Sequence, residues 1–476
     1  MNLNQLTIKE AKEGLRNKKF SSVELTKACL KQIEKHNPSL NAFITVCEDY
    51  ALHEAKKADI LLASQGETLE GKSLLGIPIA LKDLFSTKGI KTTAGSGVLK
   101  DYIPQYDATV VKKLKAAGAI IIGKTNLDAW AHGSSGENSD FGPTKNPWNT
   151  RYVPGGSSSG SAAALAADMC IASTGTDTGG SIRLPASFCN IVGLKPTYGR
   201  VSRYGIIAMA SSLDSIGHFT KTVEDSELLL KITEGKNSLD ATTFEKKHEV
   251  KPFSKIKIGV DPDFFSKQIE TESLNLLRKA YNTLLRLKNN SVEDFIPNIA
   301  LPHQEYGIAC YYIIQPAEVS SNLARYDGIR YGSPRENFGD EAKRRIMLGT
   351  YTLSAGYYDA YYKKAMQVRT LIKQDFEKAF EKVDVIITPV SPTPAWKLGE
   401  KINDPLSMYL SDKFTVTANL GGIPALSIQI GFTPKGFPVG LQILGPHFSE
   451  GVLFKVGRAY EEATKNEPWR KIKHKL

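Results

Sequence analysis

Apolar and polar residues alternate at helical spacing through the first sixty residues, which we therefore predict to be helical. Two capping boxes, each pairing a hydroxyl with a carboxylate three residues on, mark helix starts: Thr7 with Glu10, and Ser21 with Glu24. Behind the second box, apolar residues recur at intervals of four: Leu25, Cys29, Ile33. The proline in residues 36–38 is predicted to end this second helix.

Beyond a polar loop near residues 64–72, the pattern changes to short apolar runs separated by amphipathic segments. We predict a strand over 77–81, a helix over 107–117 and a strand over 119–123. Strands that alternate with helices are typical of a sheet covered by helices. The sequence therefore predicts an α/β fold, with a central mixed β-sheet surrounded by α-helices.

Residues 131–161 are rich in Gly, Ser, Asn and Pro and predict a long loop before a helix over 162–167. A structureless loop of this length is uncommon in a compact domain and is usually functional. A short strand over 170–173 then leads into a second glycine-rich turn over 175–181. We expect the catalytic residues to lie in these two segments.

The chain shows no internal repeat, and we predict a single domain over residues 1–476. Within it we expect an N-terminal helical region over 1–60. Residues from about 223 to 298 are more charged and less patterned, and we expect them to form a peripheral region.

Composition and charge limit the classes of protein to which this chain can belong. The 476 residues are 41% hydrophobic and 23% charged, as in ordinary globular proteins. The formal charge of +11 would suit an RNA partner, but the basic residues are spread over short clusters without interleaved aromatics. This distribution favours a solvated basic surface over an RNA-reading one.

The five cysteines lie far apart and form no CxxC pair, so neither a disulfide framework nor a thiolate zinc site is indicated. The N-terminus lacks the cationic and apolar regions of a signal peptide, and no apolar stretch is long enough to span a membrane. We expect a cytoplasmic protein.

Three segments contain reactive side chains. Residues 76–83 contain Lys82, residues 155–160 form a GGSSSG run, and residues 175–183 contain Ser181. A lysine at the end of a buried strand can act as a general base if burial lowers its pKa from ~10.4 toward ~7–8. Such a base can activate a serine, and Ser181 is our candidate nucleophile. Each motif alone is more often structural.

The second segment also contains an alternative candidate nucleophile. Residues 156–160 match the G-x-S-x-G nucleophile elbow, in which Ser158 would be the nucleophile. The elbow needs a preceding strand, and residues 147–154 predict irregular loop. It also needs a histidine, and the candidates lie in no recognisable catalytic context: His218, His303, His447. Walker and HExxH motifs are absent, so the sequence predicts no metal site and no nucleotide site in this chain.

Together and in this order, the three segments resemble the amidase signature family across nearly the whole chain. The resemblance implies that Lys82 is the base, that Ser157 follows a cis peptide bond and relays the proton, and that Ser181 is the nucleophile. It implies an oxyanion hole made of four backbone N–H groups: Thr178, Gly179, Gly180, Ser181. It also implies that Asp177 and Arg183 support the loop.

Within the family, residues 193–205, 353–362 and 419–427 resemble the glutamine-hydrolysing subunits of tRNA-dependent amidotransferases. The resemblance implies a heterotrimer with B and C subunits, in which ammonia from glutamine converts Glu-tRNA(Gln) to Gln-tRNA(Gln). It places ATP and Mg²⁺ at the partner subunit, which also makes the main contact with the misacylated tRNA, and implies no cofactor in this chain.

Free glutamine carries an α-carboxylate and an α-ammonium, which a guanidinium and a carboxylate can bind. The resemblance assigns these roles to Arg345 and Asp412. Arg345 follows two other cations, so it could equally be a solvated surface charge. Two alternatives for the whole chain stay open: a stand-alone amidase for other primary amides, and a non-catalytic scaffold for tRNA or partner subunits.

Two segments depart from the usual family pattern. Asp83 is followed by Leu84 where the family often has asparagine. Residues 128–133 read DAWAHG in place of the more usual DEFAMG. We expect the second segment to lie at the rim of the substrate pocket.

Overall fold

The computed structural model describes residues 2–64, 71–246, 250–261, 269–287, 295–296, 299–329, 332–474 and 476. Most of the polar loop predicted near residues 64–72 therefore lies outside the described residues, as do parts of the region predicted to be peripheral. Among the described residues, no helix combines the length and the apolar character that crossing a bilayer requires.

The strands form one mixed sheet in the order β1-β3-β2-β4-β6-β5-β10-β11-β9-β7-β8. Their bounds are β1 Phe43–Val46, β2 Pro78–Lys82, β3 Ile120–Thr125, β4 Ala172–Asp177, β5 Val192–Lys195, β6 Ser215–Thr220, β7 Ile258–Val260, β8 Phe295–Ile296, β9 Val385–Pro389, β10 Ala425–Phe432 and β11 Pro438–Leu444. Strand β2 pairs in parallel with β3 and β4, whereas β4 pairs antiparallel with β6. The predicted mixed sheet is confirmed.

Helices surround this sheet, as predicted. Their bounds are α1 Ile8–Arg16, α2 Ser22–Leu40, α3 Glu48–Ala63, α4 Thr109–Ala116, α5 Ser159–Ala166, α6 Arg183–Cys189, α7 Val223–Thr233, α8 Thr271–Leu287, α9 Gly307–Asn322, α10 Asp340–Thr352, α11 Lys364–Phe380, α12 Pro405–Tyr409, α13 Val416–Leu420 and α14 Glu450–Thr464. Every residue of β2, β3 and β4 is buried, so this part of the sheet is covered on both faces.

Both predicted capping boxes form at the starts of α1 and α2. The predicted end of α2 at residues 36–38 is wrong, because the helix continues through Pro38 to Leu40. A proline in the last turn removes only one N–H donor, and the chain turns instead at Asn41, which has a left-handed backbone with φ 53°. Strand β1 also interrupts the region predicted to be helical, because it pairs with the edge of β3.

Strand β4 is longer than the predicted 170–173, so the turn that follows it is shorter than predicted. Polar residues such as Thr176 carry no strand pattern of their own, but they continue the ladder opposite β6. A Cβ on Gly175 would lie 2.8 Å from the ring of Phe219, so a larger residue would collide with the next strand. Helix α5 likewise begins at Ser159, before the predicted residue 162.

The predicted single domain and its internal regions stay predictions. In the described residues, α7 packs on β6 and α14, and α8 packs on α14 and β10. Strand β7 pairs in parallel with β9. These parts of residues 223–298 therefore extend the same sheet and its helical cover.

Candidate active site

Lys82 is the last residue of β2, and its side chain is fully buried. Its Nζ atom donates to three hydroxyl oxygens: Ser157 Oγ at 2.9 Å, Ser158 Oγ at 2.9 Å and Thr176 Oγ1 at 2.8 Å. Burial lowers the pKa of Lys82 to about 7, although neighbouring aspartates partly oppose the shift. A neutral amine has a lone pair, so Lys82 can accept a proton from one of these hydroxyls.

The residues before α5 hold the two serines against Lys82. The Gly156–Ser157 peptide bond is cis. A Cβ on Gly156 would lie 2.1 Å from an oxygen of Asp128, so only glycine fits there. The backbone carbonyl of Ser157 accepts from the N–H of Asp128 at 3.3 Å. The loop over residues 131–158 contains no regular strand or α-helix, as predicted.

The elbow alternative with Ser158 as nucleophile does not fit the structure. No strand precedes Ser158 among the described residues 126–157. Its Oγ accepts from Lys82 and donates to the carbonyl of Thr176 at 3.1 Å, so the hydroxyl is engaged within the protein. Two of the three candidate histidines pair elsewhere: His218 contacts Ser226, and His303 contacts Asp375. We therefore assign Ser158 to positioning Lys82.

Ser181 lies in the turn between β4 and α6 and keeps 9% of its surface exposed. Its carbonyl accepts from the N–H of Ser158 at 3.2 Å, which places the turn beside the serine-rich loop. The N–H groups of Gly179, Gly180 and Ser181 have no hydrogen-bond acceptor among the described residues. Free backbone N–H groups beside a serine are the donors that an oxyanion needs.

Close neighbours leave no room for a side chain at two positions of this turn, Gly179 and Gly180. A Cβ on Gly179 would lie 2.7 Å from the Tyr311 ring, and one on Gly180 would lie 2.4 Å from Thr415 Oγ1. Gly180 also has φ 146°, which disfavours residues with a side chain. Thr415 holds the turn directly, since its hydroxyl donates to the carbonyl of Gly179 at 2.5 Å.

A buried ion pair supports the same turn. Arg183 donates to both carboxylate oxygens of Asp177, through Nε at 3.0 Å and Nη2 at 2.9 Å. Burial raises the pKa of Asp177, but Arg183 outweighs it and lowers the pKa to about 2. Arg183 Nη1 donates to Thr415 and to Gln442 at 2.9 Å each. This arrangement agrees with the supporting role predicted for the pair, which nevertheless stays a prediction.

Arg345 is not a surface charge, because only 3% of its side chain is exposed, against 42% for Arg344. Its Nε donates to Glu341 at 2.8 Å. Its guanidinium lies beside a stacked pair of aromatic rings, 5.2 Å from the centroid of Tyr312 and 5.5 Å from that of Tyr409. The surface alternative for Arg345 is therefore wrong.

Asp412 lies between Arg345 and the catalytic turn. Its Oδ2 accepts from Ser134 Oγ at 2.6 Å and from the Tyr312 hydroxyl at 3.2 Å. A Cβ on Gly180 would lie 3.4 Å from Oδ1, which has no hydrogen-bond partner among the described residues. Burial raises the pKa of Asp412 to about 7 despite these partners. The structure thus brings Asp412 to the turn that carries Ser181.

A cavity of about 410 Å³ adjoins the Arg345 side of the site. Its lining includes Gly133, Glu341, Arg345 and Tyr409 but none of Lys82, Ser157 and Ser181. Across the described residues, no group of three or more His, Cys, Asp or Glu side chains is arranged to hold a metal ion.

Several residues of the site were not predicted from the sequence. Thr176 contacts Lys82 from 94 positions away, and the Asp214 carboxylate accepts from Thr178 Oγ1 at 2.6 Å. Tyr312 and Gln315 lie on α9, and Gln315 accepts from Arg345 at 2.9 Å. The one signal available for α9 was its lack of charge over residues 307–317, which indicates a buried helix.

Comparison with known proteins identifies the family of this chain. The family model described as Amidase matches residues 24–454. The chain is 50% identical to the A subunit of the glutamyl-tRNA(Gln) amidotransferase of Desulfatibacillum aliphaticivorans and 51% identical to that of Thermoanaerobacter pseudethanolicus, with 98% of each chain covered in both cases. The crystal structure of the corresponding protein from Thermotoga maritima superposes with a TM-score of 0.81 at 42% identity, over 98% of this chain and 96% of that one. This chain belongs to the amidase family.

Proposed function

We propose that this chain is the glutaminase subunit of a glutamine-dependent tRNA amidotransferase, which hydrolyses glutamine to glutamate and ammonia. The hydrogen bond of 2.9 Å between buried Lys82 and Ser157 carries the proposal, because it pairs a base with a hydroxyl at the family's catalytic positions. The substrate and the complex are supported by the names of relatives that match over 98% of both chains. A scaffold would have no physical need to place a buried lysine against Ser157, beside the turn that carries Ser181.

In the proposed reaction, neutral Lys82 takes the proton of Ser157 while Ser157 takes that of Ser181. The Ser181 oxygen then attacks the side-chain carbonyl carbon of glutamine. The N–H groups of the oxyanion turn, over residues 178–181, stabilise the negative charge that forms on the carbonyl oxygen. The proton returns through Ser157 to the nitrogen, ammonia leaves, and a glutamyl ester remains on Ser181. Water hydrolyses this ester with the same base.

The Arg345 and Asp412 pair provides the two charges that bind the α-groups of glutamine. Nη2 of Arg345 has no hydrogen-bond partner among the described residues and is available to the α-carboxylate. Oδ1 of Asp412 is similarly available to the α-ammonium, whose charge favours the ionised carboxylate. These assignments select glutamine over amides that lack either group.

The proposed complex consists of this chain with B and C subunits. The partner subunit would bind ATP and Mg²⁺ and hold the misacylated tRNA, while this chain supplies ammonia. The names of the relatives, which designate one subunit of an amidotransferase, support a multi-subunit assembly. The cytoplasmic location that we expect follows from this role in making aminoacyl-tRNA.

Arg345→Lys should raise the KM for glutamine by about 10- to 100-fold and change kcat much less. A lysine supplies a point charge but cannot reproduce the planar, two-donor contact that the guanidinium makes with the α-carboxylate. Steady-state ammonia release measures both constants. The matched control is Arg344→Lys, which changes an exposed neighbour and should leave KM within about twofold. Equal KM values in the two variants would remove Arg345 from the substrate site.

The pH dependence of kcat at saturating glutamine should report Lys82, because the bound α-ammonium keeps Asp412, whose pKa is also about 7 in the free chain, in its ionised form. Below pH 7 the lysine side chain is protonated and cannot act as a base, so activity falls as the pH is lowered. As the pH rises through about 7, Lys82 loses its proton and activity increases to a plateau. A profile of kcat at saturating glutamine between pH 5 and 9 measures this rise. Flat activity down to pH 5 would contradict a lysine base.

A further inference from the structure

His132 carries a buried imidazole. Only 1% of the residue is exposed, and neither ring nitrogen has a partner among the described residues. Native proteins rarely leave a buried polar group unpaired unless water or a ligand completes it. The family pattern that this chain resembles has methionine here, which would avoid the penalty. Some interaction must therefore offset the cost of burying an unpaired imidazole at this position.

The backbone around His132 is tightly constrained. The two preceding residues have left-handed backbones, with φ 57° at Trp130 and 64° at Ala131. Such conformations persist where the surroundings enforce them. A Cβ on Gly133 would lie within 2.9 Å of Asn138 Nδ2, and the same amide donates to the carbonyl of His132 at 3.0 Å. The backbone that carries the imidazole is thus held in place before any ligand binds.

The segment that carries His132 contacts the proposed substrate-binding groups. Two residues further on, Ser134 donates to Asp412 at 2.6 Å. Gly133 and Arg345 line the same cavity. Burial lowers the pKa of His132 well below its usual value, and the charge of Arg345 lowers it further, so the ring is neutral at pH 7. A neutral ring always carries one N–H donor.

From this geometry we infer that His132 donates its ring N–H to the α-carboxylate of the bound amide, beside Arg345. The inference rests on the proposed function, because it takes glutamine as the substrate. The positive charge of Arg345 draws the carboxylate, and not the ammonium, to this side of the pocket. His132 is then a specificity-determining residue, which adds a hydrogen bond that methionine cannot make.

The inference is tested by ligand binding to the full-length chain in a Ser181→Ala background, where no turnover occurs. Three ligands separate the contacts: glutamine, glutaramate, which lacks the α-ammonium, and 4-aminobutanamide, which lacks the carboxylate. His132→Met should weaken the binding of glutamine and glutaramate about tenfold and that of 4-aminobutanamide less than twofold. His132→Gln, which keeps an N–H donor, should recover most of the loss. His132→Leu provides a second apolar variant.

Equal weakening of all three ligands by His132→Met, or none for the two carboxylates, would overturn the inference. A purely structural role would produce the first of these results, together with a lower melting temperature. The failure of the proposed function has a different signature. In that case the parent chain itself would bind neither glutamine nor glutaramate, whatever residue stands at position 132.

Discussion

Replacing Ser181 with alanine should reduce glutamine hydrolysis by at least about 10⁴-fold, to the level of the background reaction. The substitution removes the only oxygen that the proposed mechanism uses to attack the amide. It should leave the fold intact, because the turn is held by other groups: Asp177, Arg183, Thr415. Ammonia release from glutamine measures the loss, and circular dichroism checks the fold.

The matched control for this variant is Ser427→Ala. Ser427 is fully buried on β10, and its hydroxyl has no partner among the described residues, so the change removes a buried hydroxyl that makes no hydrogen bond to Lys82, Ser157 or Ser181. Activity should stay within about twofold of the parent. Substantial turnover in Ser181→Ala would make another group the nucleophile. Ser158 would then be the first residue to replace.

Replacing Lys82 with methionine should lower kcat by about 10³- to 10⁴-fold, with a smaller effect on KM. Methionine occupies similar space but cannot accept the proton of Ser157. Lys82→Arg should be similarly inactive, since a guanidinium stays protonated and cannot serve as a base. Single-turnover formation of the glutamyl ester, followed by mass spectrometry, measures the affected step.

Lys195→Met is the control for burial of a lysine. Lys195 is also fully buried with a pKa of about 7, but its Nζ donates to the carbonyl of Pro196 at 3.0 Å and not to a serine. This variant should keep activity within about tenfold of the parent. If Lys195→Met and Lys82→Met lost activity equally, the loss would reflect the removal of a buried charge. The contact with Ser157 would then have no special role.

Local sequence signals predicted the parts of the fold that local interactions determine. The capping boxes of α1 and α2 formed as predicted, because both partners of each box lie within one helical turn. The predicted end of α2 was wrong because it depends on a left-handed turn at Asn41. The predicted length of β4 was wrong because it depends on pairing with β6. No local pattern contains those contacts.

In the candidate site, too, local sequence signals predicted some features, whereas contacts with distant elements decided others. Strand-end burial alone pointed to Lys82, and the structure adds the hydroxyl oxygens around its amine. Three consecutive cations that end at Arg345 suggested a solvated surface, whereas the aromatic rings beside its guanidinium come from α9 and α12. Burial of one cation among three is decided by distant elements, so the chain's own pattern could not separate Arg345 from Arg344.

The central proposal is tested most directly by ammonia release from glutamine, first with the purified chain alone and then with B and C subunits, ATP, Mg²⁺ and misacylated tRNA. The account predicts low activity for the chain alone and a steep rise when the partners and the tRNA are present. Vigorous hydrolysis of simple primary amides without partners, with glutamine left intact, would contradict it and indicate a stand-alone amidase.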